Sequence, residues 1–226
     1  MIVGTNYTYI HLPKCGGTSI TKILEKYYSG NKGVIHSKLT TKPNDKKIIG
    51  SIRNPLDWYV SLWAYGCSDK GYFNGLLRMT HPDTDKLYND FNNIDNFKKW
   101  LNIVFNLKSP QFHQCEIYPN KMAEHNVGPM TSRFITFYQL NDWSVLGDIN
   151  KDNLVDYYIR QENMNKDIKE IMLSITNKNS VFENIQLNSS QHKHFSEYYD
   201  EETLKLVSTK DKYIYNKFKY EKNINK

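Results

Sequence analysis

The sequence predicts a three-layer α/β domain, a short parallel sheet flanked by helices. Three observations lead there. A strand, a Gly-rich loop and a helix follow one another over residues 8–27. A second apolar run, Lys47 to Ile52, feeds an Asn-Pro helix start, and a third, Leu154 to Arg160, precedes another periodic stretch. Strands that alternate with helices form parallel sheets covered on both faces. Such sheets bind ligands at the carboxyl ends of their strands.

Taken in order, Thr8 to Leu12 reads as a strand that Pro13 stops, and Gly16-Gly17 makes a tight loop. From Ser19 the pattern is helical, with Ile20, Ile23, Leu24 and Tyr27 on one face. Val34-Ile35 reads as a short strand ending at His36, and Lys47 to Ile52 as a strand ending at Arg53. Asn54-Pro55 then starts a helix: Asn is a good N-cap, Pro is tolerated at the first helical position, and Asp57 adds favourable charge. This helix runs to about Tyr65, where Gly66 can end it. Asp69 to Asn93 reads as a polar, irregular excursion. Phe97, Trp100, Leu101, Val104 and Phe105 share a helix face, whereas Ser132 to Leu140 fits helix and strand equally. Leu154 to Arg160 is a strand, Met164 to Ile175 a helix, and Glu201 to Tyr220 is helical.

The 226 residues suffice for one domain with its own core, residues 1–226, with Glu221 to Lys226 as a loose polar tail. Apolar content is modest at 39%, but aromatics reach 14%, and these side chains bury large areas. A net charge of +6 suits an anionic ligand, and no Lys/Arg run marks a nucleic-acid arm. Cys15, Cys67 and Cys115 lack metal-ligand or redox spacing, which fits a reduced, cytoplasmic setting. No basic-then-apolar leader and no apolar run of spanning length occur, so neither a signal peptide nor a transmembrane segment is expected.

Two motifs carry the chemistry. In Pro13-Lys14-Cys15-Gly16-Gly17-Thr18-Ser19 the glycines let backbone N–H groups approach an anion, and the helix behind them adds roughly half a positive charge. Thr18 and Ser19 supply hydroxyls and Lys14 a mobile cation. The usual triphosphate loop places Lys after its last Gly; here Lys14 precedes both. In the second motif, Ile52-Arg53-Asn54-Pro55, Arg53 ends a strand and Ser61 follows on the next helix. A planar guanidinium suits paired phosphate oxygens. A triphosphate hydrolase needs an Asp at such a strand end to hold Mg²⁺; Arg53 is instead suited to a second phosphate.

In these motifs the chain resembles the sulfotransferases that use 3′-phosphoadenosine 5′-phosphosulfate (PAPS), whose fold is similar to that of P-loop nucleotide kinases. Pro13 to Ser19 resembles their 5′-phosphosulfate loop, and Arg53-Asn54-Pro55 with Ser61 their 3′-phosphate motif. His11-Leu12-Pro13-Lys14 is similar to the carbohydrate-directed branch. The resemblance extends to Tyr158 through Asn163, to Asn188-Ser189-Ser190 and to Tyr198-Tyr199-Asp200, and is vague over residues 68–130. It implies a donor site made of Lys14, Cys15, Gly16, Gly17, Thr18, Ser19, Arg53, Ser61, Ser190 and Lys193, with PAPS as donor and no metal.

Transfer also needs a base for the acceptor proton. His36 is the first candidate because His titrates near neutral pH, and Glu162 is its rival. Lys14 is expected to neutralise the leaving oxygen. The acceptor is a hydroxyl or an amine, with a glycan favoured slightly. Two other functions stay open: a P-loop small-molecule kinase, which would consume ATP with Mg²⁺, and a non-catalytic nucleotide- or glycan-binding module of the same fold.

Overall fold

The computed structural model describes residues 1–34, 37–43, 45–107, 119–151, 154–178, 180–182 and 192–224. They fall into two compact units, residues 1–54 with 133–189 and residues 55–132 with 190–226.

The first unit is built on a five-stranded mixed sheet, β1 (Ile2–Val3), β2 (Tyr7–Tyr9), β3 (Asn31–Lys32), β4 (Lys47–Ile52) and β5 (Tyr157–Arg160), in the order β3-β1-β2-β4-β5. β2, β4 and β5 run parallel, with Tyr9 opposite Ile49 and Ile52 opposite Arg160. The other two pairings, β1 with β2 and β1 with β3, are antiparallel, so the sheet is not parallel throughout as expected. The reason is connection length. Only the turn from Gly4, whose N–H donates to Tyr7 O, separates β1 from β2, and so short a link permits only an antiparallel pair.

Of the strand expected at Val34–Ile35, only Val34 is among the described residues, and it carries no strand. Asn31 and Lys32 pair with β1, the Gly33 N–H bonds Met1 O, and Val34 is exposed.

α1 (Gly17–Tyr28) and α8 (Met164–Thr176) bury Ile20, Ile23, Leu24, Ile168, Ile171 and Met172 against Tyr7, Tyr9, Ile49 and Ile159 of the sheet. The alternate residues of β5 point the other way, as strand geometry requires. There Tyr158 meets Phe134 at 5.8 Å and Tyr138 at 5.6 Å, both on α7 (Pro129–Tyr138). Gly50 lets this close layer form, since a Cβ there would stand 3.0 Å from both the Tyr138 and Tyr158 rings.

The second unit is helical, comprising α2 (Pro55–Gly66), α3 (Tyr72–Thr80), α4 (Thr84–Leu87), α5 (Ile94–Phe105), α6 (Pro119–His125), the first turn of α7, α9 (Glu201–Lys210) and α10 (Lys212–Phe218). The stretch expected to be irregular, Asp69 to Asn93, carries α3 and α4. Phe73, Leu76 and Leu77 lie at helical spacing and are buried, which secures α3 in an otherwise polar sequence.

Trp58, Tyr59, Trp63, Phe97 and Trp100 form an aromatic core, with Trp63 5.2 Å from Tyr88 and 5.7 Å from Trp100. Asp211 is fully buried here and accepts hydrogen bonds from Tyr59 Oη at 2.6 Å, Thr131 N at 2.9 Å and Thr131 Oγ1 at 2.7 Å. Burial nonetheless dominates and pushes its carboxyl up to about 6. The end of the chain, residues 221–224, carries no helix or strand.

Candidate functional site

Three parallel strands end on one edge of the sheet, and the residues singled out in the sequence lie just beyond them. After β2 the Ile10 N–H makes a last bond to Ile49 O at 2.9 Å, and Pro13 then directs the chain into a turn closed by Cys15 N to Leu12 O at 3.3 Å. Lys14 (φ 66°) and Gly16 (φ 74°) are both left-handed. Gly tolerates that conformation freely, whereas Lys pays roughly 1–2 kcal/mol for it, so the surrounding structure must hold Lys14 there.

Gly16 is the N-cap of α1 and offers no capping side chain to the first N–H groups of the helix. Those groups carry the positive end of the helix dipole, so this terminus suits an oxyanion. Gly17 is required by packing. A Cβ there would fall 1.8 Å from Cδ2 of His11, whose ring stacks on Tyr9 at 6.4 Å. Thr18 is exposed on the first turn, while Ser19 and Cys15 are buried.

Arg53 follows β4 and donates from Nη1 to Lys14 O at 3.2 Å. Both cations are half-buried. Burial first, and the Arg53 charge second, push the Lys14 ammonium down to about 8, while Cys15 acts in the opposite sense. An anion beside Lys14 and Arg53 would relieve that repulsion. After β5, Glu162 accepts the Asn54 N–H through Oε1. Behind these groups Tyr138 Oη ties the two strand ends together. It accepts Ser51 N at 2.8 Å and reaches Ser51 O at 2.9 Å and Ile10 O at 3.2 Å, and Tyr9 Oη meets Ser51 Oγ at 3.0 Å.

The structure therefore gathers Lys14, Cys15, Gly16, Gly17, Thr18, Ser19, Arg53 and Glu162 at neighbouring strand ends in one unit. Ser61 belongs to the helical unit, where it is buried on α2. Lys193 also belongs there; its ammonium lies 3.9 Å from Glu197 and its N–H bonds Tyr198 Oη at 3.3 Å. His36 and Ser190 lie outside the described residues.

Sequence reasoning missed the supporting groups Tyr138 and Ser51, and the backbone role of Asn54. Tyr138 stands 128 residues from the Ile10 carbonyl it meets, and no local pattern announces such a partner. Among the described residues, no helix is long and apolar enough to cross a membrane. No protein-family model, curated protein or solved structure matches the chain.

Proposed function

We propose that this chain is a sulfotransferase that moves a sulfuryl group from PAPS to an acceptor hydroxyl or amine, in a cytoplasmic setting and on a P-loop kinase-like version of the α/β fold. One observation carries the reading: Arg53 stands at the end of the strand beside the Gly-rich loop, with its guanidinium on the Lys14 carbonyl. A nucleotide with phosphates at both its 5′ and 3′ positions needs two anion sites a few ångströms apart, and a loop cation plus a strand-end guanidinium fit that demand.

In this reading the 5′ end of the donor lies on residues 14–19 and Arg53 takes the 3′-phosphate. The acceptor oxygen or nitrogen forms a bond to sulfur as the bond between sulfur and the bridging 5′-phosphate oxygen breaks. The electron pair stays on that oxygen, where Lys14 neutralises it. The acceptor proton passes to a base, His36 or Glu162, and adenosine 3′,5′-bisphosphate leaves. A glycan is the favoured acceptor, on the strength of His11 to Lys14.

The test is to supply PAPS with a panel of glycan, phenol and amine acceptors and to follow acceptor-dependent release of adenosine 3′,5′-bisphosphate. Release supports the reading. Mg²⁺-dependent consumption of ATP would replace it with a kinase, and nucleotide binding without turnover on any acceptor would replace it with a binding module.

A further inference from the structure

The register of the sheet sets up a relay across the three strand ends. Ile52 on β4 lies opposite Arg160 on β5. Two residues further along each strand come Asn54 and Glu162, and there the Glu162 carboxylate accepts the Asn54 N–H. That N–H lies past the last ladder position and just before Pro55, so it needs an acceptor from outside the sheet. Glu162 is held in place by the short 3₁₀ turn Gln161–Asn163 and by Asp167, whose Oδ2 accepts the Arg160 N–H at 2.7 Å. The same turn abuts the loop, because a Cβ at Gly16 would stand 3.3 Å from Cγ of Gln161. From Asn54 the chain of contacts continues through Arg53 to the Lys14 carbonyl at 3.2 Å.

We propose that Glu162 is a positioning residue: by holding the Asn54 backbone it aims Arg53, and through Arg53 it fixes the left-handed shape of the Lys14 loop. One carboxylate oxygen, Oε1, is committed to the Asn54 backbone. The part of this inference that concerns nucleotide rests on the sulfotransferase reading; the part that concerns loop shape does not.

The experiment compares Glu162→Ala with Glu162→Gln, since the amide oxygen of Gln can still accept the Asn54 N–H. Amide hydrogen exchange at Cys15 and Ile20 of the ligand-free protein, whose N–H groups bond Leu12 O and Gly16 O across the loop, reads how firmly the loop is closed. Exchange is expected to speed up about tenfold in Glu162→Ala and to stay within about twofold of wild type in Glu162→Gln. The ratio of affinities for adenosine 3′,5′-bisphosphate and adenosine 5′-monophosphate reads the aim of Arg53. It is expected to fall about tenfold in Glu162→Ala only. Unchanged loop exchange in Glu162→Ala overturns the proposal. Equal damage from both substitutions also overturns it, because the carboxylate charge would then matter rather than its hydrogen bond. If wild type shows no preference for the bisphosphate, the sulfotransferase reading fails on its own account, and loop exchange alone decides the role of Glu162.

Discussion

The sheet unit collects its charge at an edge, whereas the helical unit seals a charge inside. Lys14 and Arg53 meet at the ends of β2 and β4, half-buried, with the loop backbone in left-handed conformations. Asp211 is fully buried and surrounded by donors from Tyr59 and Thr131. Strained backbone and like charges held together carry a folding cost that a bound anion would offset, which is what the proposed site requires. A buried carboxylate whose oxygens accept three hydrogen bonds joins distant helix segments, so it belongs to the architecture. Position and packing, more than residue type, decide which role a charge takes.

The comparison makes separate demands on the two units. The largest effect is expected in the aromatic core. Trp100 is fully buried against Trp63, Phe97 and Tyr59, and Trp100→Ala should cost about 3–5 kcal/mol of stability by urea unfolding. Lys14→Ala should do the reverse, leaving the unfolding midpoint nearly unchanged while turnover falls on the order of 10²–10³. A large loss of stability in Lys14→Ala would erase the contrast between the units.

The buried carboxylate gives a pH signature. Its folded pKa of about 6 exceeds the ordinary 3.8, so between those values the native state binds more protons than the unfolded one. Stability must then fall as pH rises across that window and level off above it, a change on the order of 2–3 kcal/mol. Subtracting the unfolding profile of Asp211→Asn from that of wild type should isolate this slope, and a flat difference would remove Asp211 from the account.

The smallest effect concerns Lys14. Its ammonium is pushed down to about 8, and a bound phosphate favours the charged form. Binding of adenosine 3′,5′-bisphosphate at pH 8 should therefore take up about half a proton, read by calorimetry in buffers of different ionisation enthalpy. Lys14→Arg, which stays charged, should abolish the uptake.

Much of the sheet unit was legible because its signals are local. The apolar run Lys47 to Ile52 reproduces β4 residue for residue, and Pro13 with Gly16-Gly17 marked the loop; in the helical unit the Asn-Pro start likewise marked α2. β1 and β3 escaped because two-residue strands are too short to show a period. α3 was hidden by the polar residues around Phe73, Leu76 and Leu77, and α7 by its Thr and aromatic content, which suits strands equally. Asp211 gave no signal at all: its partners lie 152 and 80 residues away, and only the fold brings them together. In the candidate site Lys14, the Gly-rich loop and Arg53 stood out by residue type, while the contacts Glu162 to Asn54 and Arg53 to Lys14 depend on strand register.

The central claim is that the Lys14 loop and Arg53 hold two phosphates of one nucleotide. The most direct measurement is the affinity of wild type and Arg53→Ala for adenosine 3′,5′-bisphosphate and adenosine 5′-monophosphate by calorimetry. Wild type should prefer the bisphosphate by at least about tenfold, the worth of one charge-assisted contact, and Arg53→Ala should lose that preference while still binding the monophosphate. Equal affinities in wild type, or a preference that survives the loss of Arg53, would contradict the account.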